Sequence, residues 1–241
     1  MKKIFFLSFI TYFFFSHFSY SQALSYVDPA IAYQRIMVEK GQEGTYQQLG
    51  NFKVIGTSFL FGEQLGGNAY AGNEKSSNIK LGYNMYNQTV ELYINGSNLK
   101  IIKTPSEIDS FLISQHSSDF VKEDMHFVSS KSISNIKIKD CFLQVLYKGK
   151  NNSLYKFYTA TLDYVSTNYI QSELRQFGTA FTYYLFDEKK GELKKIKLTR
   201  KKLMEEFSSI TGIETAVSDE EFDKQPEQTS VKILSFINNN H

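Results

Sequence analysis

One cysteine, Cys141, serves a chain of 241 residues. No internal disulfide can form, so the fold must be held by its core rather than by bridges. Asp140-Cys141-Phe142-Leu143 sets that thiol beside an apolar run, and Cys141 reads as a buried small hydrophobe, not a nucleophile. Histidine is scarce too. The chain has 4, and none falls into an HxH, HxxxH or HExxH spacing. The G-x-S-x-G elbow of a serine hydrolase is missing, and so is the Lys-Ser/Thr of a P-loop. These absences point away from a cofactor, a metal site and an enzyme.

Long apolar runs are confined to the start. Met1-Lys2-Lys3 is followed by Ile4–Tyr20, which carries no charge and seven Phe. Small residues around Ser21 and Ala23 complete the layout of a secretory signal peptide, with cleavage after one or the other. The expected division is a leader over residues 1–23 and one β-rich domain over 24–241. The run is about 17 residues, at the lower limit for spanning a bilayer, and no later stretch is long and apolar enough to do so. No Cys lies near the cleavage point, which excludes a lipoprotein of the usual kind. The expected location is the periplasm or the cell surface.

Charge excess is absent once the leader is set aside. The chain has 27 basic and 25 acidic residues, and Lys2 and Lys3 leave with the leader. The balance is then even, which gives no global electrostatic case for a nucleic acid partner.

What is abundant is aromatic and β-branched: 16 Tyr and 21 Phe favour half-buried pleated surfaces. Val90, Leu92 and Ile94 alternate with Glu91 and Tyr93, then Asn95-Gly96 and Leu99–Ile102 complete a hairpin signal. Further strands are expected at 52–61, 79–83, 108–113, 133–138, 142–147, 154–162, 180–186 and 192–197. Short connections with few helices between them imply antiparallel pairing. Asp28-Pro29 and Gly41 punctuate a short helix over 30–40. Gly62–Gly72 reads as a flexible hairpin loop. Thr199 caps a helix over 199–210 carrying Leu203, Phe207 and Ile210, and Pro226 precedes a second over 227–238 carrying Val231, Leu234 and Ile237. The fold class expected is mainly β: an antiparallel meander, curved sheet or sandwich with two C-terminal helices packed on it.

Several segments carry a resemblance. Gly56-Thr-Ser-Phe-Leu-Phe, a glycine-rich loop and Leu81-Gly82-Tyr83-Asn84-Met85-Tyr86-Asn87 come first. Phe181-Thr-Tyr-Tyr-Leu, a basic hairpin and two helices follow. In this order and over most of the chain after the leader, the sequence resembles a family of uncharacterised secreted proteins of Bacteroidetes-type bacteria. The resemblance implies export and a strand-rich body, and it brings no functional residues with it.

Two surface candidates arise from the residues themselves. Tyr83, Asn84, Tyr86, Asn87 and Glu91 combine stacking rings with hydrogen-bonding groups suited to a sugar or peptide, or else simply build a turn. Lys189, Lys190, Lys194, Lys195, Lys197, Arg200, Lys201 and Lys202 form a basic stretch that suits anionic headgroups, or else a solvated hairpin. His116, Asp119, Glu123, Asp124 and His126 cluster within one short segment and motivate a weaker hydrolase reading. The favoured function is an exported, non-catalytic interaction module whose partner is another envelope protein or lipid. A carrier of an apolar ligand is the alternative, and a periplasmic hydrolase a second. The export expectation predicts that N-terminal sequencing of protein isolated from its own host starts at Gln22 or Leu24. A start at Met1 refutes it.

Overall fold

The computed structural model describes residues 33–40, 46–94, 99–133, 136, 138–165, 174–208, 210, 212 and 217–240. They build a mainly β protein with appended helices. The strands are β1 (Tyr33–Lys40), β2 (Tyr46–Ile55), β3 (Leu65–Ala71), β4 (Glu74–Asn84), β5 (Thr89–Tyr93) and β6 (Lys100–Lys103). They continue with β7 (Ser110–Ile113), β8 (Met125–Ser129), β9 (Phe142–Lys148), β10 (Asn152–Tyr164), β11 (Leu174–Asp187) and β12 (Glu192–Ile196). Helices α1 (Arg200–Glu206), α2 (Asp219–Lys224) and α3 (Pro226–Asn240) follow.

All twelve strands join one sheet in the order β1-β2-β11-β10-β9-β8-β7-β3-β4-β5-β6, with β12 on the same edge of β11 that meets β2. From β11 through to β6, and between β11 and β12, pairing is antiparallel as expected, whereas β2 runs parallel to β11. The two strands lie far apart in sequence, so no crossover helix is required between them.

Period-two alternation sets the faces of the sheet. Leu154 and Leu185 pair across β10 and β11 and face the helices, packing with Ile196, Leu203, Phe222, Ile233, Leu234 and Ile237. Their neighbours Tyr155 and Phe186 face the other way, with Cys141, Leu143 and Ile133. Burial pushes the Cys141 thiol up to about 11, consistent with a packing role.

The other half of the sheet curls over an aromatic core. Phe111 and Phe127 stack 4.6 Å apart, and Tyr83 lies 5.3–6.0 Å from Phe127, Phe111 and Phe142. The β4–β5 turn closes this half. Gln88 takes a left-handed conformation, φ +55°, and its amide spans the cleft where β9 and β10 part company. Nε2 donates to the carbonyls of Met85 (2.7 Å) and Tyr158 (2.9 Å). Oε1 accepts from the Tyr83 hydroxyl (2.7 Å) and the Phe142 amide (3.4 Å).

Two expectations are corrected, and one helix is added to those expected. Residues 33–40 form strand β1 instead of a helix; Ile36 and Val38 repeat at two residues, and β-branched side chains suit a strand. Residues 65–71 of the expected flexible loop form β3, paired with both β4 and β7. The glycines there serve close approach: a Cβ on Gly67 would lie 2.1 Å from the Leu112 carbonyl oxygen, and the β3–β4 register shifts just beyond it. The acidic segment after Val217 is helix α2, started by a reciprocal Ser218–Glu221 capping box. The strand expected at 133–138 lies partly outside the described residues; Ser130–Ser132 is a short 3-10 turn before it. Asn95-Gly96 also lies outside them, though β5 and β6 pair as that hairpin requires.

Two substitutions test these constraints by urea unfolding. Gly67→Ala drives a methyl group into a backbone oxygen and is expected to cost about 3 kcal/mol or more. Gln88→Leu keeps the volume but removes the partner of three backbone groups, the Met85 and Tyr158 carbonyls and the Phe142 amide, and leaves the Tyr83 hydroxyl only its longer contact to the Phe142 carbonyl; it is expected to cost about 2 kcal/mol. An unchanged midpoint in either variant contradicts the corresponding contact.

Candidate functional site

The β10–β11 ladder pairs Lys156 with Tyr183 and Tyr158 with Phe181, two positions and four positions beyond Leu154 and Leu185 on the same face. This face therefore starts under α3 and emerges from it. Lys156 and Tyr183 sit at the helix rim, where Glu227 in the first turn of α3 meets them. Glu227 Oε1 lies 2.7 Å from Lys156 Nζ and accepts the Tyr183 hydroxyl at 2.6 Å. A carboxylate in the first turn is also favoured by the helix dipole.

Aromatic rings enclose the ammonium on its other sides. Lys156 Nζ lies 4.4, 4.9 and 5.7 Å from the ring centroids of Phe181, Tyr158 and Tyr183. The lysine side chain is only 12% exposed. Tyr158 is buried and donates to Gln144 Oε1 at 2.9 Å. Phe181, by contrast, is 55% exposed although its ring packs on Tyr183 at 5.3 Å. A large apolar ring is thus held in place and presented to solvent.

A cleft of about 590 Å³ opens beside Glu227, lined also by Glu123, Leu146, Pro226, Gln228 and Val231. Leu146 is the residue skipped by the β9–β10 register shift. A second cleft, about 310 Å³, lies at the β11–β12 turn between Lys148, Lys189, Lys190 and Tyr155.

The side chains singled out from sequence are distributed as follows. Tyr83 is wholly buried, and Asn84 Oδ1 accepts the amides of Tyr86 and Asn87 at 3.1 Å each. Tyr86 packs edge-on against Phe177, with ring centroids 5.8 Å apart, and Asn87 is half-buried. Glu91 is buried, pairs with Lys100 and faces away from Tyr83 across the β4–β5 ladder. The five residues therefore do not line one cleft. In the basic stretch, Lys190 pairs with Asp187, Lys194 with Glu206, Arg200 with Asp219 and Lys202 with Glu205. Lys189, Lys195, Lys197 and Lys201 are exposed. His116, Asp119, Glu123, Asp124 and His126 are exposed on and beside the β7–β8 connection. Among the described residues no three His, Cys, Asp or Glu side chains are grouped to hold a metal ion, and no helix is long and apolar enough to cross a membrane.

The Lys156 cluster was not singled out from sequence. Its only signal is a pair of i,i+2 motifs, Lys156-x-Tyr158 and Phe181-x-Tyr183. A long connection separates the two strands, so their register is unreadable without the structure. Compared with known proteins, the chain matches no family model, no curated protein and no solved structure.

Burial raises the phenols of Tyr83, Tyr158 and Tyr183 well above the usual tyrosine range, and Glu227 raises Tyr158 and Tyr183 further. In the unfolded chain these phenols ionise near pH 10, so above that pH the folded state binds more protons than the unfolded. Their contribution to stability is complete below about pH 10 and is lost as pH rises beyond it. The urea midpoint is expected to fall between about pH 9 and pH 11. Glu227→Gln is expected to lower the Tyr183 phenol in ultraviolet titration while leaving it above the usual range, because burial is the larger cause. A flat alkaline profile contradicts this account.

Proposed function

We propose that this chain is an exported, non-catalytic interaction module of a bacterial cell envelope, periplasmic or surface-facing. In this reading it binds its partner on the β10–β11 face around Phe181 and along the neighbouring cleft. The observation that carries the reading is Phe181: a ring more than half exposed, yet fixed by Tyr158, Tyr183 and Lys156. Rigid aromatic anchors beside a groove are how interfaces concentrate binding energy.

The rest of the cluster supports recognition more than catalysis. Lys156 and Tyr183 both spend their polar atoms on Glu227, so the cation is compensated and the phenol stays protonated. The leader over residues 1–23 supports export. A carrier of an apolar ligand needs an open interior, whereas the concave face of this sheet is filled by Tyr83, Phe111, Phe127, Phe142 and Tyr158. A hydrolase built on the His116–His126 segment needs convergent side chains; Glu123 lines the cleft beside Glu227, but His116, Asp119, Asp124 and His126 are exposed and do not line it.

Affinity capture from the envelope of the native host tests the proposal. A partner retained by the wild-type chain is expected to be lost with Phe181→Asp, corresponding to about 2 kcal/mol or more of binding energy. The thermal midpoint is expected to stay within about 2 °C, because the side chain is largely outside the core. Capture that is the same with both chains, or absent with both, refutes the proposed face.

A further inference from the structure

Beside Phe181 the sheet has a position that no described residue fills. Strand β11 is paired along its whole inner edge with β10, but its outer edge is shared by two strands that do not meet. β2 pairs only with Leu174, Arg175 and Gln176, and then Gly56, φ +79°, turns that strand away. β12 pairs from Tyr183 onward. Between them, residues 177–182 fall outside both ladders among the described residues, with Gly56 beside Phe177 at one end and Lys197 continuing opposite Thr182 at the other. Gly178, Thr179, Ala180 and Phe181 are all exposed. These four exposed residues span about 13 Å at about 3.3 Å per residue.

We infer that this gap receives an extended peptide segment of a partner protein, acidic at the end beside Lys197, which adds to the sheet as a strand. This deepens the interaction-module reading and rests on it. Main-chain hydrogen bonds supply the affinity of strand addition, and side chains flanking the edge supply its specificity. Phe181 is the apolar contact. Charge sets the polarity. Continuing the β11–β12 register brings Lys197 opposite Thr182, with Lys195 two residues back on the same face, and both are exposed. At the opposite end Asp163 and Arg175 stand at adjacent ladder positions and offset each other, so the excess positive charge lies at the Lys197 end. A second copy of this chain fits poorly. Its own β11 is 14 residues long and would run into β2 and β12 at the two ends of the gap. A free segment of a few residues, entering and leaving out of plane, does not.

Short random peptides on phage, selected against the full-length secreted chain, test this. Recovered peptides are expected to be extended apolar sequences with Asp or Glu clustered at one end. By amide hydrogen exchange, the outward amides of 177–182 are expected to exchange fast in the free chain and to slow by about tenfold or more with a recovered peptide. Lys195→Glu with Lys197→Glu is expected to weaken that peptide by about tenfold at low salt, with no change in the urea midpoint. Protection along α3 and the neighbouring cleft, with the edge unchanged, overturns the inference but leaves the interaction module standing. Edge amides already protected in the free chain overturn it, because the position is then filled. Protection that grows with protein concentration alone assigns the edge to a second copy and also overturns it. Failure to recover any peptide counts against strand addition, whereas failure of the broader reading is read separately from Phe181→Asp capture.

Discussion

The carboxamide of Gln88 ties the two halves of the sheet together. β9 and β10 pair only as far as Gln144 and Lys156, and beyond that they splay. Left empty, the splay would expose the Phe142 amide and the Tyr158 carbonyl at the margin of an aromatic core, and unpaired backbone groups in such places are costly. Gln88 reaches in from a turn on the far side of the sheet and satisfies both, together with the Tyr83 hydroxyl. One amide has two donors and two acceptor sites, and here all are used. The curl of β3–β5 over β7–β10 therefore has a fixed depth, set by side-chain length and not only by hydrophobic contact. The aromatic cluster inside that curl is dense because its boundary is fixed.

At the other half, α3 plays the corresponding part. Asn238 near its C-terminal end accepts the amides of Asn151 and Asn152 at the β9–β10 turn, while Glu227 at its N-terminal end holds Lys156 and Tyr183. The helix is pinned at both ends along β10. It covers Leu154 and Leu185 and stops at Lys156. β10 and β11 are 13 and 14 residues long and continue past that point. The exposed Phe181 is thus a consequence of a length mismatch between the hairpin and its cover. The compensated lysine at the boundary marks where the covered apolar face ends and the presented aromatic face begins.

Local pattern made much of this legible and long-range register hid the rest. Val90–Ile94 with Leu99–Ile102, Leu154–Leu162 and the helices carrying Leu203 and Leu234 all show periods that a short window can detect, and all are present as expected. β3 was hidden because glycine normally signals a loop; at Gly67 it signals that a neighbouring strand comes too close for a side chain. α2 was hidden behind its charge, although Ser218 and Glu221 hold the spacing of a capping box. The basic stretch illustrates a further limit. A count of lysines and arginines is local, whereas Asp219, which meets Arg200, belongs to a later helix. The Lys156 cluster needed the register of two strands and the end of a third element, which no single window contains.

The same lysines bear on how the edge of β11, open among the described residues, avoids indiscriminate pairing. An exposed edge invites pairing with any extended chain, and natural sheets blunt such edges with charge, above all lysine. Lys195 and Lys197 stand at one end of the gap without closing it. Their charge repels basic strands and other copies' own lysine-bearing edges, while the same field attracts an acidic segment. Flanking strands limit the length that enters, and the far end, where Asp163 and Arg175 offset each other, offers no matching positive field. Protection against indiscriminate pairing and selection of one kind of partner therefore require no separate devices: a short, charged, flanked gap does both, and a longer or neutral edge at the same place would do neither.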